Sequence, residues 1–530
     1  MNNVVLVGFM GSGKTTVGRH LAEEMRRPFV DLDDEIAAEA GHSVAEIFAG
    51  EGEAGFRERE SASLRRTLQR NDVVIAAGGG APLRAENWRQ MRSGNCVVAL
   101  LAEPAELVRR LNGSGGRPLL QPDATSAIAT LLPQRQGRYR EADLLVRTDG
   151  NAPTDLANHI RDQLPSGGLQ RIPVEVPDAQ HEVTVGSRLT GLVPAAVLRL
   201  GVSGTVVVIS DQQVAQRHVA PLTEALASAG VQSSVHLLPA GEPAKELSVL
   251  AGIYDALGKA QVDRKGALIA LGGGTVGDVA GFAAATWMRG IRYVQVPTTL
   301  LAMVDSSIGG KTGINLPAGK NLAGAVHQPS AIFCDLDYLA TLPDEEYRTA
   351  LAEVIKAAVI ADRAFFDWLS VNLAGVMRRE PAVMRDAVAR AIGIKAAVVT
   401  RDPYESGERA ILNYGHTVAH AIERAAGFGQ VRHGDAVAWG MAVAARLSVM
   451  TESCPPSAAE LQDAMLSAAG LLAARPMVRR ADLLEAMRHD KKSRDGAPRW
   501  VLLREIGEVA YGRQVGAALV EAALAEVIGA

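Results

Sequence analysis

The segment VVLVGFMGSGKTT (4–16) limits the possible folds more than any other stretch of the chain. Its β-branched start reads as a buried strand, and residues 8–15 then fit G-x-x-x-x-G-K-[ST] ahead of an amphipathic stretch at 15–26. Strand, glycine loop and helix in that order make a phosphate cradle, because loop N–H groups and the helix N-terminus point at the same anion. Gly11, Ser12, Gly13, Lys14, Thr15 and Thr16 would line it, with Lys14 on the β- and γ-phosphates of ATP and Thr15 on Mg²⁺. The alternation that follows agrees with a parallel α/β sheet: DVVIAAGGG (72–80) reads as strand and loop, CVVALLA (96–102) as a further strand.

With 530 residues the chain has room for about three or more domains. Residues 1–163 form the first α/β unit. LPSGGLQRIP (164–173), with paired glycines and no periodicity, reads as an interdomain linker. A second, Rossmann-like α/β unit spans 174–345, with strands at 205–211, 267–274 and 293–299. From 346 to 530 the chain turns to Ala-rich amphipathic stretches at 349–361, 382–400, 414–426, 435–450 and 457–473, the pattern of an α-helical domain. A net charge of −4 offers no basic field for nucleic acid. No run approaches the ~18 apolar residues of a membrane span. Cys96, Cys334 and Cys454 stand singly, and the N-terminus lacks a signal-peptide pattern, so a cytoplasmic location is expected.

Several stretches carry chemistry without fixing it. DLDDE (31–35) offers carboxylates to orient or deprotonate a hydroxyl, or an N-cap cluster. Arg57 in GEAGFRERE (52–60) reads in isolation as a solvated charge. GSGGRPLL (113–120) has the makings of a closing lid or an ordinary surface loop. Gly272, Gly274 and Gly277 spell G-x-G-x-x-G after a strand, but the acidic residue expected about 20 positions on is missing. Asp211 and Glu242 are acidic alternatives for a ribose. VDSSIGGKTGINLPAGKN (304–321) brings Lys311 and Lys320 to a Gly-rich loop suited to a phosphorylated ligand. His416 and His420 share one helix face in NYGHTVAH (413–420), and Glu353 and His433 are further candidates for a metal. Spacing does not choose among the three histidines.

Residues 1–160 closely resemble shikimate kinase, through GFMGSGKTT, DLD, GEAGFRERE, GGG, RPLL and Arg135 to Tyr139 in order. The resemblance implies ATP-dependent phosphorylation of the shikimate 3-hydroxyl. It places Asp33 on that hydroxyl as the catalytic base, and Arg57 and Arg135 on the carboxylate, with Gly79 and Gly80 donating backbone contacts. It puts Arg117 on the phosphates, Arg110 near the adenine, and Asp31 with Thr15 on Mg²⁺.

Residues from about 175 to 510 are similar to 3-dehydroquinate synthase, through AGEPAK, GGGTVGDVAGF, VPTTLLAMVDSSIGGKTGINLPAGKNLAGAVHQP, AEVIK, RAILNYGHTVAHAIE, HGDAVAWG and HDKK. One departure is Ala419, where the family pattern has Gly. This resemblance implies conversion of the seven-carbon phosphorylated sugar acid DAHP into 3-dehydroquinate and phosphate, with NAD⁺ regenerated within the cycle. It implies Glu353, His416 and His433 as ligands of Zn²⁺ or Co²⁺, and His420 as a substrate-contacting proton shuttle. NAD⁺ would meet Asp211, Glu242, Lys245, Gly273, Gly274, Asp278, Thr298, Thr299, Lys311, Lys320 and Thr341. DAHP would meet Asp305, Lys311, Asn321, Lys356, Lys395, Arg409, Asn413 and His420, with Lys491 or Lys492 from the far end. Lys320, Asn321, Lys356 and Asp305 are also counted among the catalytic groups. Arg289 would reach across a homodimer. The alternatives are a metal-dependent polyol dehydrogenase in the C-terminal part, or an ATP-sensing regulatory protein.

Overall fold

The computed structural model describes residues 3–111, 124–177, 179–427, 429–488 and 498–529. Its first sheet is wholly parallel. β1 (Val4–Val7) is buried on every side chain, as an apolar run must be when helices cover both faces of a central strand. With β2 (Phe29–Asp31), β3 (Val74–Ala76), β4 (Cys96–Leu101) and β5 (Leu144–Arg147) it gives the order β2-β3-β1-β4-β5. The phosphate-loop motif follows the carboxyl end of β1 and opens the helix Lys14–Met25.

The second sheet has seven strands in the order β6-β7-β14-β11-β10-β8-β9. They are β6 (Ser166–Val176), β7 (Ala179–Ser187), β8 (Val206–Asp211), β9 (Ser233–Leu238), β10 (Ala267–Gly272), β11 (Arg292–Pro297) and β14 (Ala331–Asp335). Only the β6–β7 pair is antiparallel. Between β11 and β14 a hairpin of β12 (Lys311–Leu316) and β13 (Gly319–Val326) stands off the sheet.

The expected linker at 164–173 is corrected here: its residues from Ser166 onward are the edge strand β6. Leu169 and Val174 are buried in the apolar cluster that also holds Leu21, Ile160 and Val185. The glycines that suggested flexibility mark a shift of register between Ser166 and Gln170, where Gly167 takes φ 72°.

The junction between the halves is therefore packed, and it is charged. Arg171 of β6 meets Asp143 at 2.8 Å, while Arg92 meets Glu182 at 2.9 Å and Asp143 at 3.4 Å. Arg199 donates to the carbonyls of Glu141 and Ala142. Burial raises the pKa of the Asp143 carboxyl, but Arg171 and Arg92 outweigh it and hold it below its ordinary value. Asp143 and Asn95 precede β5 and β4, so this contact sits at the amino edge of the first sheet, opposite the phosphate loop.

The C-terminal helices pack around His433–Met450, which is buried along nearly its whole length, as an Ala- and Gly-rich helix apolar on all sides should be. Two glycines set its neighbours' distance. A Cβ on Gly434 would lie 1.8 Å from the Thr349 carbonyl oxygen of helix Asp344–Ala361, and one on Gly440 2.0 Å from that of Gly415. The helical region also carries a two-stranded element absent from its sequence pattern, β15 (Trp500–Glu505) with β16 (Glu508–Arg513). No helix among the described residues is long and apolar enough to cross a membrane.

His181 on β7 is buried, and neither ring nitrogen has a hydrogen-bond partner among the described residues. Burial pushes its pKa from 6.5 down to about 4. The unfolded chain therefore takes up this proton first, so the stability present above about pH 6.5 is lost as pH falls toward 4. Urea unfolding at pH 7.5 and 5 should show a loss of the order of 2 kcal/mol from this residue, and His181→Phe should flatten that slope.

Candidate functional site

At the carboxyl edge of the first sheet, Lys14 Nζ donates to the carbonyls of Gly8 and Phe9 at 3.0 and 3.1 Å, and Gly11 and Gly13 hold positive φ. Ser12 is buried, and Thr16 lies in the first turn of the helix. Thr15 Oγ1 donates to Asp31 Oδ2 at 2.7 Å, so the hydroxyl and carboxylate expected to share a cation already touch. Arg110 clasps the loop from outside, donating to the Gly11 carbonyl at 3.3 Å and to the Thr148 carbonyl at 2.8 Å.

The acceptor side gathers around residues 78–80. A Cβ on Gly80 would lie 2.3 Å from the Arg57 guanidinium carbon, and one on Gly78 3.3 Å from Asp33 Oδ1. One on Gly79 would be 3.7 Å from Arg135 Nη1. The three small residues are what lets a carboxylate and two guanidiniums converge. Arg135 is buried over the Phe9 ring, and Tyr139 donates to the Gly79 carbonyl at 2.6 Å. Asp33 is open at the rim yet crowded by neighbours. That desolvation, with Asp31 beside it, raises its pKa against the pull of Lys14 and Arg57. Glu60 escaped the sequence reading although it stands three residues after Arg57: it is fully buried and meets Arg57 at 2.8 Å. Arg117 lies outside the described residues.

The second site is a cleft of about 1620 Å³ at the carboxyl ends of β8, β10 and β11, closed by the β12–β13 hairpin and the helical region. Every residue expected to contact a dinucleotide lines it. Asp211 caps the helix after β8, accepting from the Gln213 and Val214 N–H groups. Gly273 precedes the helix Gly274–Thr286, whose N-terminus faces the cleft. Lys245 meets Asp278 at 2.6 Å and donates to the side-chain amide oxygen of Asn321 at 3.1 Å. Lys320 stands 3.8 Å from Glu242, Thr341 bonds His218, and Thr298 and Thr299 close the end of β11.

Of the residues expected on the phosphorylated substrate, Asp305, Lys311, Asn321 and His420 line the same cleft, while Lys356, Lys395, Arg409 and Asn413 are buried or half-buried away from its wall. Lys395 donates to Asp305, which sits on the π-helical turn Ala302–Ser306. Lys311 pairs with Glu405, and Glu405 accepts from Asn413 at 2.9 Å. The buried Arg409 donates to the Gly309 carbonyl at 3.2 Å. His420 lines the cleft. Arg289, expected to reach across a homodimer, precedes β11, at the edge of the sheet opposite the cleft and about 20 Å of strand away, so this chain does not bring it to its own site. Lys491 and Lys492 lie outside the described residues.

Beside the cleft Glu353, His416 and His433 bring one ligand atom each within 4.8 Å of one another. Glu353 Oε1 is 3.5 Å from His416 Nε2 and 3.7 Å from His433 Nε2, both too far to be hydrogen bonds, and it is buried with no hydrogen-bond partner among the described residues. Its other oxygen pairs with Lys356, which also donates to the Leu412 carbonyl. Burial alone would raise the Glu353 pKa, but Lys356 and His433 outweigh it and hold it at about 2. Burial, then Lys356 and His433, push His416 far below its ordinary value and keep it neutral. One carboxylate oxygen and two imidazole nitrogens in a buried corner, with His433 on the wall of the cleft, match the kind of donor set that a catalytic zinc ion takes. Histidine 420 stays out of this group. Glu423, three residues after His420 and on the same helix face, lies 3.4 Å from His433 Nδ1 and was missed.

The sequence model for shikimate kinase matches residues 10–165, and those for 3-dehydroquinate synthase N-terminal and C-terminal match 235–349 and 350–493. Among solved structures, a 2-deoxy-scyllo-inosose synthase with carbaglucose-6-phosphate, NAD⁺ and Co²⁺ is 26% identical, covering 68% of this chain and 100% of that one, TM-score 0.63. The 2-epi-5-epi-valiolone synthase of Streptomyces hygroscopicus subsp. jinggangensis, with NAD⁺ and Zn²⁺, is 28% identical over 67% and 98%, TM-score 0.61. A shikimate kinase from Acinetobacter baumannii in complex with shikimate is 40% identical over 31% of this chain and 92% of that one, TM-score 0.30.

Equilibrium dialysis of the full chain should find one tightly held Zn²⁺ at the Glu353 trio. His416→Ala or His433→Ala should weaken it about a thousandfold or more, since each ligand carries several kcal/mol of the binding energy, while His420→Ala should leave it within a few-fold.

Proposed function

The chain belongs to the shikimate kinase family through residues 10–165 and to the 3-dehydroquinate synthase family through residues 235–493, and on that premise we propose a bifunctional enzyme of aromatic biosynthesis. It phosphorylates shikimate with ATP and converts DAHP into 3-dehydroquinate and phosphate. The boundary between the activities falls near residue 163. The observation that carries the synthase reading is the Glu353, His416 and His433 trio beside a cleft lined by lysines.

In the kinase half, Arg57 and Arg135 hold the shikimate carboxylate as paired guanidiniums, a geometry suited to planar bidentate contact. Asp33 takes the proton of the 3-hydroxyl; its raised pKa brings it nearer the range useful to a base. Lys14 and the loop N–H groups hold the phosphates, and Asp31 with Thr15 would hold Mg²⁺. Asp33→Asn should lower kcat by about 10²–10⁴-fold with little change in the shikimate KM, measured by coupled ADP release.

In the synthase half, Zn²⁺ held by Glu353, His416 and His433 would supply Lewis-acid polarisation of the oxidised carbon's oxygen, and NAD⁺ reversible hydride acceptance. Lys311, Lys320, Asn321, Lys356 and Arg409 hold the carboxylate, phosphate and hydroxyls of DAHP, while Lys395 fixes Asp305. His420 moves the proton. An uncharged polyol would need no such set of cations, which argues against the dehydrogenase alternative. Arg289 acts on the cleft of a second copy, so a homodimer is part of this reading. Three buried cysteines without disulfides suit a cytoplasmic enzyme.

Phosphate release from DAHP tests the synthase reading. With NAD⁺ present, release should vanish with a chelator, return with Zn²⁺ and leave no net NADH. Release from glucose 6-phosphate in place of DAHP would move the substrate to that of another sugar phosphate cyclase.

A further inference from the structure

The two imidazoles of the trio are oriented in the same way but by different means. Each turns Nε2 toward Glu353 Oε1 and leaves Nδ1 facing an acceptor. For His416 the acceptor is the Tyr414 carbonyl at 3.2 Å, a backbone group that no substitution removes. For His433 it is the carboxylate of Glu423, at 3.4 Å. Glu423 stands seven residues after His416 on the helix His416–Ala426, so one helix face supplies a candidate ligand and the support for another. The ring of His433 also begins its own helix, with Gly434 pressed on Thr349, so its backbone is fixed and only the ring's rotation and tautomer remain to be set.

We propose that Glu423 is a positioning residue for the metal centre: it accepts the Nδ1 proton of His433, and so directs the Nε2 lone pair at the ion beside Glu353. A carboxylate behind a ligating imidazole fixes tautomer and ring angle and raises the nitrogen's basicity. The inference rests on the zinc reading of the trio. Glu423 makes no contribution as a ligand, since its oxygen faces the nitrogen turned away from Glu353.

The test is zinc affinity of the whole chain, freed of metal and titrated against a chromophoric chelator, for the wild type, Glu423→Gln, Glu423→Asp and Glu423→Ala. Circular dichroism and the thermal unfolding profile report that each variant is folded. Glu423→Ala should bind Zn²⁺ about 10–100-fold more weakly. Glu423→Gln, nearly isosteric and still able to accept through its amide oxygen, should lose less, and Glu423→Asp should recover part of the loss. The visible bands of Co²⁺ bound in place of Zn²⁺ should shift in Glu423→Ala. A wild type that binds zinc tightly with a folded Glu423→Ala and Glu423→Gln of unchanged affinity and unchanged Co²⁺ bands would overturn the proposal alone. A wild type with no zinc affinity would overturn the metal reading, and this inference with it.

Discussion

The C-terminal half is organised around one buried oxygen. Glu353 Oε1 faces two imidazole nitrogens at distances too long for hydrogen bonds and too short for chance. Lys356 pairs only the other oxygen, and a buried carboxylate oxygen left without a partner is costly unless something positive meets it. The three ligand atoms come from three helices, and two glycines set how near those helices come. Gly434 lets the helix start of His433 rest on Thr349, one turn before Glu353, and Gly440 lets the same helix touch Gly415, immediately before His416. A methyl at either position would push a ligand outward, so helix packing and metal geometry are one constraint.

The N-terminal half solves a similar problem with backbone. Residues 78–80 carry no side chains, and Arg57, Asp33 and Arg135 fill the space this leaves. Glu60 sits beneath Arg57 as a buried counter-charge. The contact with the synthase half uses the other edge of this sheet, through Arg92, Asp143, Arg171 and Glu182. The kinase cleft therefore opens away from the junction.

Much of this was legible in the chain. Continuous apolar runs located β1, β4, β8, β10 and β11, because each of these strands is buried on both faces, and period-3.6 patterns located the long helices. The phosphate loop was legible because its motif, strand and helix are contiguous. The metal trio was not legible from spacing: Glu353, His416 and His433 lie on separate helices, and His420 competes with His416 from the same face. Family resemblance separated them, and the fold brings one ligand atom from each of the three within 4.8 Å of one another. The linker was misread because glycines in a bulged edge strand look like glycines in a tether. Glu423 and Glu60 each stood three residues from a residue already singled out, so helical spacing alone could have found both. Glu405, in an irregular loop, left no such signal.

The most direct measurement is an anomalous difference map at the zinc edge from crystals of the full chain grown with Zn²⁺. The account predicts one strong peak about 2.0–2.2 Å from Glu353 Oε1, His416 Nε2 and His433 Nε2, with His420 outside bonding distance. A peak ligated by His420, or zinc bound elsewhere with the trio empty, would contradict it.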